Sequence, residues 1–262
     1  MRTLVLALFA MAAAAQPNPA LRNATNLDFE GKYAEARAAF EQAIQAADTP
    51  QAKSAAERAL AISYAFEGNC AQTVKYEQMV FNYYVEQKDF YQQGEIADEA
   101  ARVCIDSGDL DTAEKWYKIG YEAGIKEPDI KPDRKDLWDF RWENAQARLA
   151  ARRGNKAEAQ KHIAAAKAVL DRGANPTQQP FFPYLTGYVA LYTGDAKTAV
   201  EDLQKANVRD AFIQCLLGQA YEKLGDKQQA REWYAKAAAA KSHNPPGAYS
   251  IPFAKKKLAA AQ

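Results

Sequence analysis

Residues 217–237 read Leu217-Gly218-x-x-Tyr221-x-x-x-Gly225-Asp226-x-x-x-Ala230-x-x-x-Tyr234-x-x-Ala237. The small and apolar residues on each side of Gly225 recur at intervals of three and four, which places each set on one face of a helix. Gly225 admits the positive φ at which a helix ends, and Asp226 can accept hydrogen bonds from the first amides of the next helix. The stretch therefore predicts two antiparallel helices joined by a tight turn.

The same punctuation occurs five more times, at Gly31-Lys32, Gly68-Asn69, Gly108-Asp109, Gly154-Asn155 and Gly194-Asp195, with separations of 37, 40, 46, 40 and 31 residues running to Gly225. A fixed period of this size is the mark of a repeat architecture. Seven residues before each glycine stands a small residue: Ala24, Ala61, Ala101, Ala147, Gly187 and Gly218. Five after stand Ala36, Thr73, Ala113, Ala159, Ala199 and Ala230, and nine after stand Phe40, Glu77, Tyr117, Ile163, Leu203 and Tyr234. The small positions let the paired helices approach, and the large ones fill the gap to the next pair. Glu77 departs from this rule, with Tyr76 beside it. The longer spacings around Gly108 and Gly154 predict extended helices there. Pro50, Pro128, Pro132, Pro176, Pro180, Pro183, Pro245, Pro246 and Pro252 are expected between helices or in first turns, because a proline inside a helix costs about 3 kcal/mol.

The stretch around Gly225, and the earlier Gly31-x-Tyr33-x-x-Ala36-x-x-x-Phe40-x-x-Ala43, resemble the tetratricopeptide repeat. The resemblance extends over roughly residues 17 to 240. It implies an all-α fold, a right-handed superhelical solenoid of about six antiparallel helix pairs, with a concave inner face lined by the first helix of each pair. Residues 16–249 are expected to form it. Ser250 to Gln262, with Ile251, Phe253 and Leu258 and a run of three lysines, is expected to be a C-terminal capping helix, which solenoids need for solubility.

Residues 1–15, MRTLVLALFAMAAAA, carry one arginine, an apolar run and small residues at the end, the pattern of a signal peptide cleaved near Ala15-Gln16. The run is too short to span a bilayer as a helix, and no later segment is apolar enough to do so. The protein is therefore expected to be exported, periplasmic or secreted. The chain of 262 residues has 34 Lys and Arg against 33 Asp and Glu. That balance, which falls to zero when Arg2 leaves with the leader, argues against a nucleic-acid partner.

Chemistry-bearing motifs are scarce. His162 and His243 have no second ligand at metal-site spacing, and there is no phosphate loop or nucleophile elbow. No catalytic residue, metal or cofactor is expected. Asp98 and Arg102, four apart beside Glu95 and Glu99, predict a helix-surface ion pair. Cys70 follows one repeat's glycine by two residues, and Cys104 precedes the next by four, so both fall near one rim of the solenoid. Either they form a disulfide between repeats or Cys104 is a small core residue. Cys215 has no evident partner.

The exposed stripe of the first helices reads Arg58 and Ile62, then Asp98 and Arg102, then Arg141, Asn144, Arg148 and Arg152, then Phe181, Tyr184, Tyr188 and Tyr192. Arginine and tyrosine are enriched at binding hot spots, and arginine pairs carboxylates bidentately. Arg141, Asn144, Arg148, Arg152, Phe181, Tyr184 and Tyr188 are the candidate groove for a protein or peptide partner with acidic and apolar parts. The competing reading makes the tyrosines packing residues and the arginines a solvated face. The Lys/Asn arrangement by which some members of the family clamp a C-terminal carboxylate is not matched. Phe81, Tyr83, Tyr84, Phe90 and Tyr91 form a second aromatic cluster, either core or interface. These features point to a non-enzymatic interaction scaffold of the cell envelope. The alternative is an exported protein that binds a glycan or small ligand through its tyrosines.

Overall fold

A computed structural model describes residues 19–260; the expected leader, residues 1–15, and the expected cleavage near Ala15-Gln16 lie outside the described residues. Among the described residues there are thirteen α-helices and no strand. They pack as six consecutive pairs: α1 (Pro19–Glu30) with α2 (Tyr33–Gln45), α3 (Pro50–Ala65) with α4 (Cys70–Glu86), α5 (Phe90–Ser107) with α6 (Leu110–Gly124), α7 (Pro132–Arg152) with α8 (Lys156–Asp171), α9 (Phe182–Tyr192) with α10 (Ala196–Leu203), and α11 (Ala211–Lys223) with α12 (Lys227–Ala239). A last helix, α13 (Pro245–Ala260), follows. The longest helices are α7 and α5, of 21 and 18 residues, in the region where the glycines are most widely spaced.

Each turn is built as the sequence pattern requires. All six repeat glycines have positive φ, between +67° and +94°. The residue after each, from Asn69 onward, accepts the amide of the third residue along: Asn69 from Gln72, Asp109 from Thr112, Asn155 from Glu158, Asp195 from Thr198 and Asp226 from Gln229. Lys32 makes no such side-chain cap. Within the pairs the small and large positions meet. A Cβ on Gly218 would lie 2.6 Å from the Tyr234 ring, and one on Gly187 would lie 2.7 Å from Leu203. Trp138 of α7 packs equally closely on two glycines, Gly94 and Gly124, where an added Cβ would come within 2.2 Å of its ring.

The C-terminal helix differs from the expectation in start, content and place. It begins at Pro245, whose ring suits a first helical position, and not at Ser250. Pro252 lies inside it. Burial of Ala248, Ile251 and Ala254 along one face offsets the interior proline. It does more than cover the last pair. Besides α12 it touches α11, α5 and α3, the first helices of the sixth, third and second pairs. A helix that meets those three together lies within the concavity they line. Ala248 and Ile251 pack with Phe29, Ile62, Phe66 and Val103. His243 lies 2.8 Å from Asp28, and Lys255 donates to the Phe29 carbonyl at 2.6 Å, so the segment of α13 is tied to α1.

The structure joins Cys70 to Cys104 in a disulfide linking the second and third pairs. Cys215 is free and buried, and burial pushes its thiol up to about 12. The aromatic cluster does not form one patch. Phe81 packs edge-on to the buried Trp116, Tyr91 lies against the buried Trp138, and Tyr83 meets Tyr84; Phe81, Tyr83, Tyr84, Phe90 and Tyr91 are themselves half-buried.

Glu77 occupies the large position of the second pair with no exposure, and neither of its oxygens has a hydrogen-bond partner. Burial holds its carboxyl well above the usual range, and the nearby Glu99 adds to this against the pull of Arg58. An apolar side chain of similar size removes that penalty. Glu77→Leu is expected to stabilise the fold by about 1–2 kcal/mol, or roughly 2–8 °C in Tm for a chain of this size. Thermal denaturation at pH 7 checks this, and a lower Tm would mean that Glu77 has a partner the pair needs.

Candidate functional site

The helix-pair rule sends α5, α7 and α9 to the inner face, and a cavity of about 300 Å³ lies among them. From α5 it is lined by Glu95, Asp98, Glu99 and Arg102, and from α7 by Arg141, Asn144 and Arg148. Tyr117 and Tyr184 form walls, Gln178 and Phe181 come from a 3-10 turn (Pro176–Phe181) before α9, and Asn244, Pro245 and Pro246 close it from the C-terminal segment.

Of the seven candidate residues, Arg141, Asn144, Arg148, Phe181 and Tyr184 line this cavity; Arg152 and Tyr188 do not. The expected exposed stripe is corrected here. Arg148 is only 5% exposed, Tyr184 is 7% and Tyr188 is fully buried. The reason is steric: the long pairs in the middle bring α7 and α9 close enough for each guanidinium to lie among tyrosines. Arg152 donates to the Tyr188 hydroxyl at 3.3 Å and lies 4.8 Å above the Tyr192 ring. Phe181 is the exposed member, at 52%.

Most of the charge is matched internally. Arg141 is ion-paired with Glu95 and lies 3.9 Å from Asp98. Arg58 donates through Nε to Glu99 at 2.8 Å. The ion pair expected between Asp98 and Arg102 does not form. Arg141 reaches Asp98 from the next pair, while Arg102 turns to the Phe212 ring, 5.8 Å away. Arg148 has only neutral oxygens as partners: it donates to the Tyr117 hydroxyl at 3.0 Å, the Tyr184 hydroxyl at 3.3 Å and the Asn144 carbonyl at 3.4 Å.

The histidines lie elsewhere. His162 is bridged by Glu143 at 2.6 Å and Glu158 at 3.1 Å, and His243 is bound to Asp28. Among the described residues no three His, Cys, Asp or Glu side chains form a metal-binding group, and no helix is long and apolar enough to cross a membrane. The contribution of Asn244, Pro245 and Pro246 to the cavity has no signal in the sequence, because those residues reach it only through the return of α13. Tyr117 had a visible role, that of a large packing residue, and its hydroxyl does second duty at the wall.

Residues 213–244 match the family model described as tetratricopeptide repeat. No curated protein matches the chain. Similar solved structures include the putative kinesin light chain of Podosopora anserina with nearly identical TPR-like repeats, and a point variant of that protein. Both are 16% identical over 84% of this chain and 92% of that one, with TM-scores of 0.44 and 0.45.

Burial pushes the Asp98 carboxyl up to about 6, with Arg141, Arg148 and Arg102 opposing the rise and Glu95 adding to it. Burial does the same to Asp106 against Arg102, Arg152 and Arg148. A carboxyl that holds its proton more tightly when folded adds stability that is complete below the unfolded value, near 3.8, and is lost as pH rises through about 6. Carboxylates with lowered values, such as Glu222 and Asp139, lose their contribution below this window. Tm is therefore expected to rise between pH 7 and pH 5, and Asp98→Asn is expected to flatten that rise. An unchanged slope in the variant would remove Asp98 as the source.

Proposed function

We propose that this tetratricopeptide-repeat protein is a non-enzymatic interaction scaffold, exported to the cell envelope or beyond, that holds a short segment of a partner protein at the mouth of the cavity between α5, α7 and the 3-10 turn. The repeat itself supports the general role, since helix-pair solenoids offer extended surfaces for other molecules. The observation that carries the finer reading is the position of α13. It fills the groove along α3, α5 and α11, so a long helix or extended chain has no continuous trough to occupy. The mouth beside Phe181 remains open, with a large exposed ring at its edge and a polar interior behind it.

Such a site suits a short apolar anchor better than a long acidic segment. Arg141, the more accessible of the two α7 arginines that line the cavity, is already paired with Glu95. Exposed aromatic rings at the rim of a cavity are the usual carriers of binding energy. Export is supported by the leader-like residues 1–15 and by the Cys70–Cys104 disulfide, which is at home in an oxidising compartment.

The test is affinity capture from an envelope extract, with the native chain beside Phe181→Ala and Gln178→Ala. Both substitutions lie on the rim and leave the buried arginine–tyrosine cluster intact. A partner held by the native chain is expected to lose about 2 kcal/mol or more of affinity, roughly 30-fold, when Phe181 is removed. A partner retained equally by all three baits would place its site elsewhere on the solenoid.

A further inference from the structure

The polar cavity has a second chamber. Beyond Arg102, Phe181, Tyr184 and Pro246, which border both, lies a space of about 420 Å³ walled by Pro180, Phe212 and Ile213. One chamber is charged and the other largely apolar, and a single arginine stands at their junction. Together they have the size and the mixed lining of a small-molecule site.

The donors in the polar chamber are unevenly satisfied. Arg102 is half-buried and makes no hydrogen bond or ion pair with any described residue, its contact being the Phe212 ring. Arg148 is buried and donates only to neutral oxygens. Two of its acceptors are the hydroxyls of Tyr117 and Tyr184. A hydroxyl that accepts from a guanidinium still has its own proton to give, so both phenols line the chamber as free donors. The three carboxylates there equal the three lining arginines in number but are engaged elsewhere. Glu95 is taken by Arg141 and Glu99 by Arg58. Asp98 and, behind the chamber, Asp106 face Arg102 and Arg148, but their ion pairs are with Arg141 and Arg152, and neither comes within ion-pair distance of Arg102 or Arg148. Arginines held in a half-buried site without a carboxylate in contact leave a desolvation cost that a bound anion would offset.

We infer that the two chambers bind a small free carboxylic acid with an apolar body, its carboxylate on Arg102 and the hydroxyls of Tyr117 and Tyr184, and its body against Phe212, Ile213 and Pro246. Arg102 sets specificity by charge, and the apolar chamber sets it by size. The inference goes beyond the partner reading and stands or falls without it, because the acid lies inside the cavity and the partner at its rim.

Isothermal titration of the full chain with 3-phenylpropionate tests it, with three comparison ligands. 3-Phenylpropanamide keeps the body and loses the charge; acetate keeps the charge and loses the body. A capped aspartyl-phenylalanine dipeptide carries both groups on a peptide. The expected result is one saturable site for 3-phenylpropionate, with the amide and acetate each at least about 10-fold weaker. Arg102→Gln is expected to weaken the acid by about 10- to 100-fold, as loss of a charged hydrogen bond does, and Arg102→Lys to restore part of it. Circular dichroism of each variant shows that it is folded. Should Arg102→Gln fail to fold, the amide comparison on the native chain still decides the role of the charge. No saturable binding up to about 10 mM, where even millimolar affinity registers, would overturn the inference. So would equal affinity for acid and amide, or binding of the dipeptide alone. Each of these leaves the capture experiment unaffected.

Discussion

Each helix pair depends on one contact, between a small residue seven positions before the turn glycine and a large one nine positions after it. Gly218 and Tyr234 make it most closely, and Gly187 and Leu203 repeat it. The small side lets the two axes approach until the large side chain lies against backbone. The large side chain is then held from behind by the next pair, so local pairing and stacking of neighbours are the same event. This explains why a solenoid with one disulfide can hold together: Phe40, Leu203, Tyr117 and Tyr234 are each buried at that position. It also explains the anomaly of Glu77, where the geometry is kept and the chemistry is not. The second pair stands with a buried, unpartnered carboxylate at the position where its neighbours have an aromatic or aliphatic side chain.

A stack of pairs has open ends and an open inner face. This chain closes both with residues 243–260. Ile251 and Ala248 pack among Phe29, Ile62, Phe66 and Val103, and the bond between His243 and Asp28 spans 215 residues of sequence. The closure changes what the inner face can do. A trough becomes a cavity with a mouth, and the arginines and tyrosines that line it are shielded from bulk water. Shielding accounts for the electrostatics. Asp98 and Asp106 are raised by burial, and Arg148 is held by phenol oxygens, because the neighbouring carboxyls pair with Arg141 and Arg152.

The repeat was legible because it rests on short-range spacing. Every turn glycine named from the sequence has positive φ, and the Asn or Asp after five of them caps the following helix. The candidate site was legible in part. Arg141, Asn144, Arg148, Phe181 and Tyr184 come together, since a stripe on successive first helices converges in any solenoid. Phe181 is exposed as expected, but the exposure of Asn144, Arg148 and Tyr184 was misjudged, since it depends on how closely α7 and α9 approach and on what lies over them. The pairing of Asp98 was misjudged for the same reason. An i,i+4 neighbour is the default on an isolated helix, and Arg141 from another pair displaced it.

By itself, the sequence determined the number of helix pairs, their turns and the residues at their interfaces, all set by contacts within about forty residues of chain. The tertiary structure alone decided where α13 lies, which arginines remain without a carboxylate in contact, and that the inner face is a two-chamber cavity and no longer a groove. These follow from contacts such as Asp28 with His243 and Phe29 with Lys255, whose partners are more than two hundred residues apart. Local periodicity has no bearing on such pairs. They form only because the stacked repeats curve enough to bring α1 and α13 within reach.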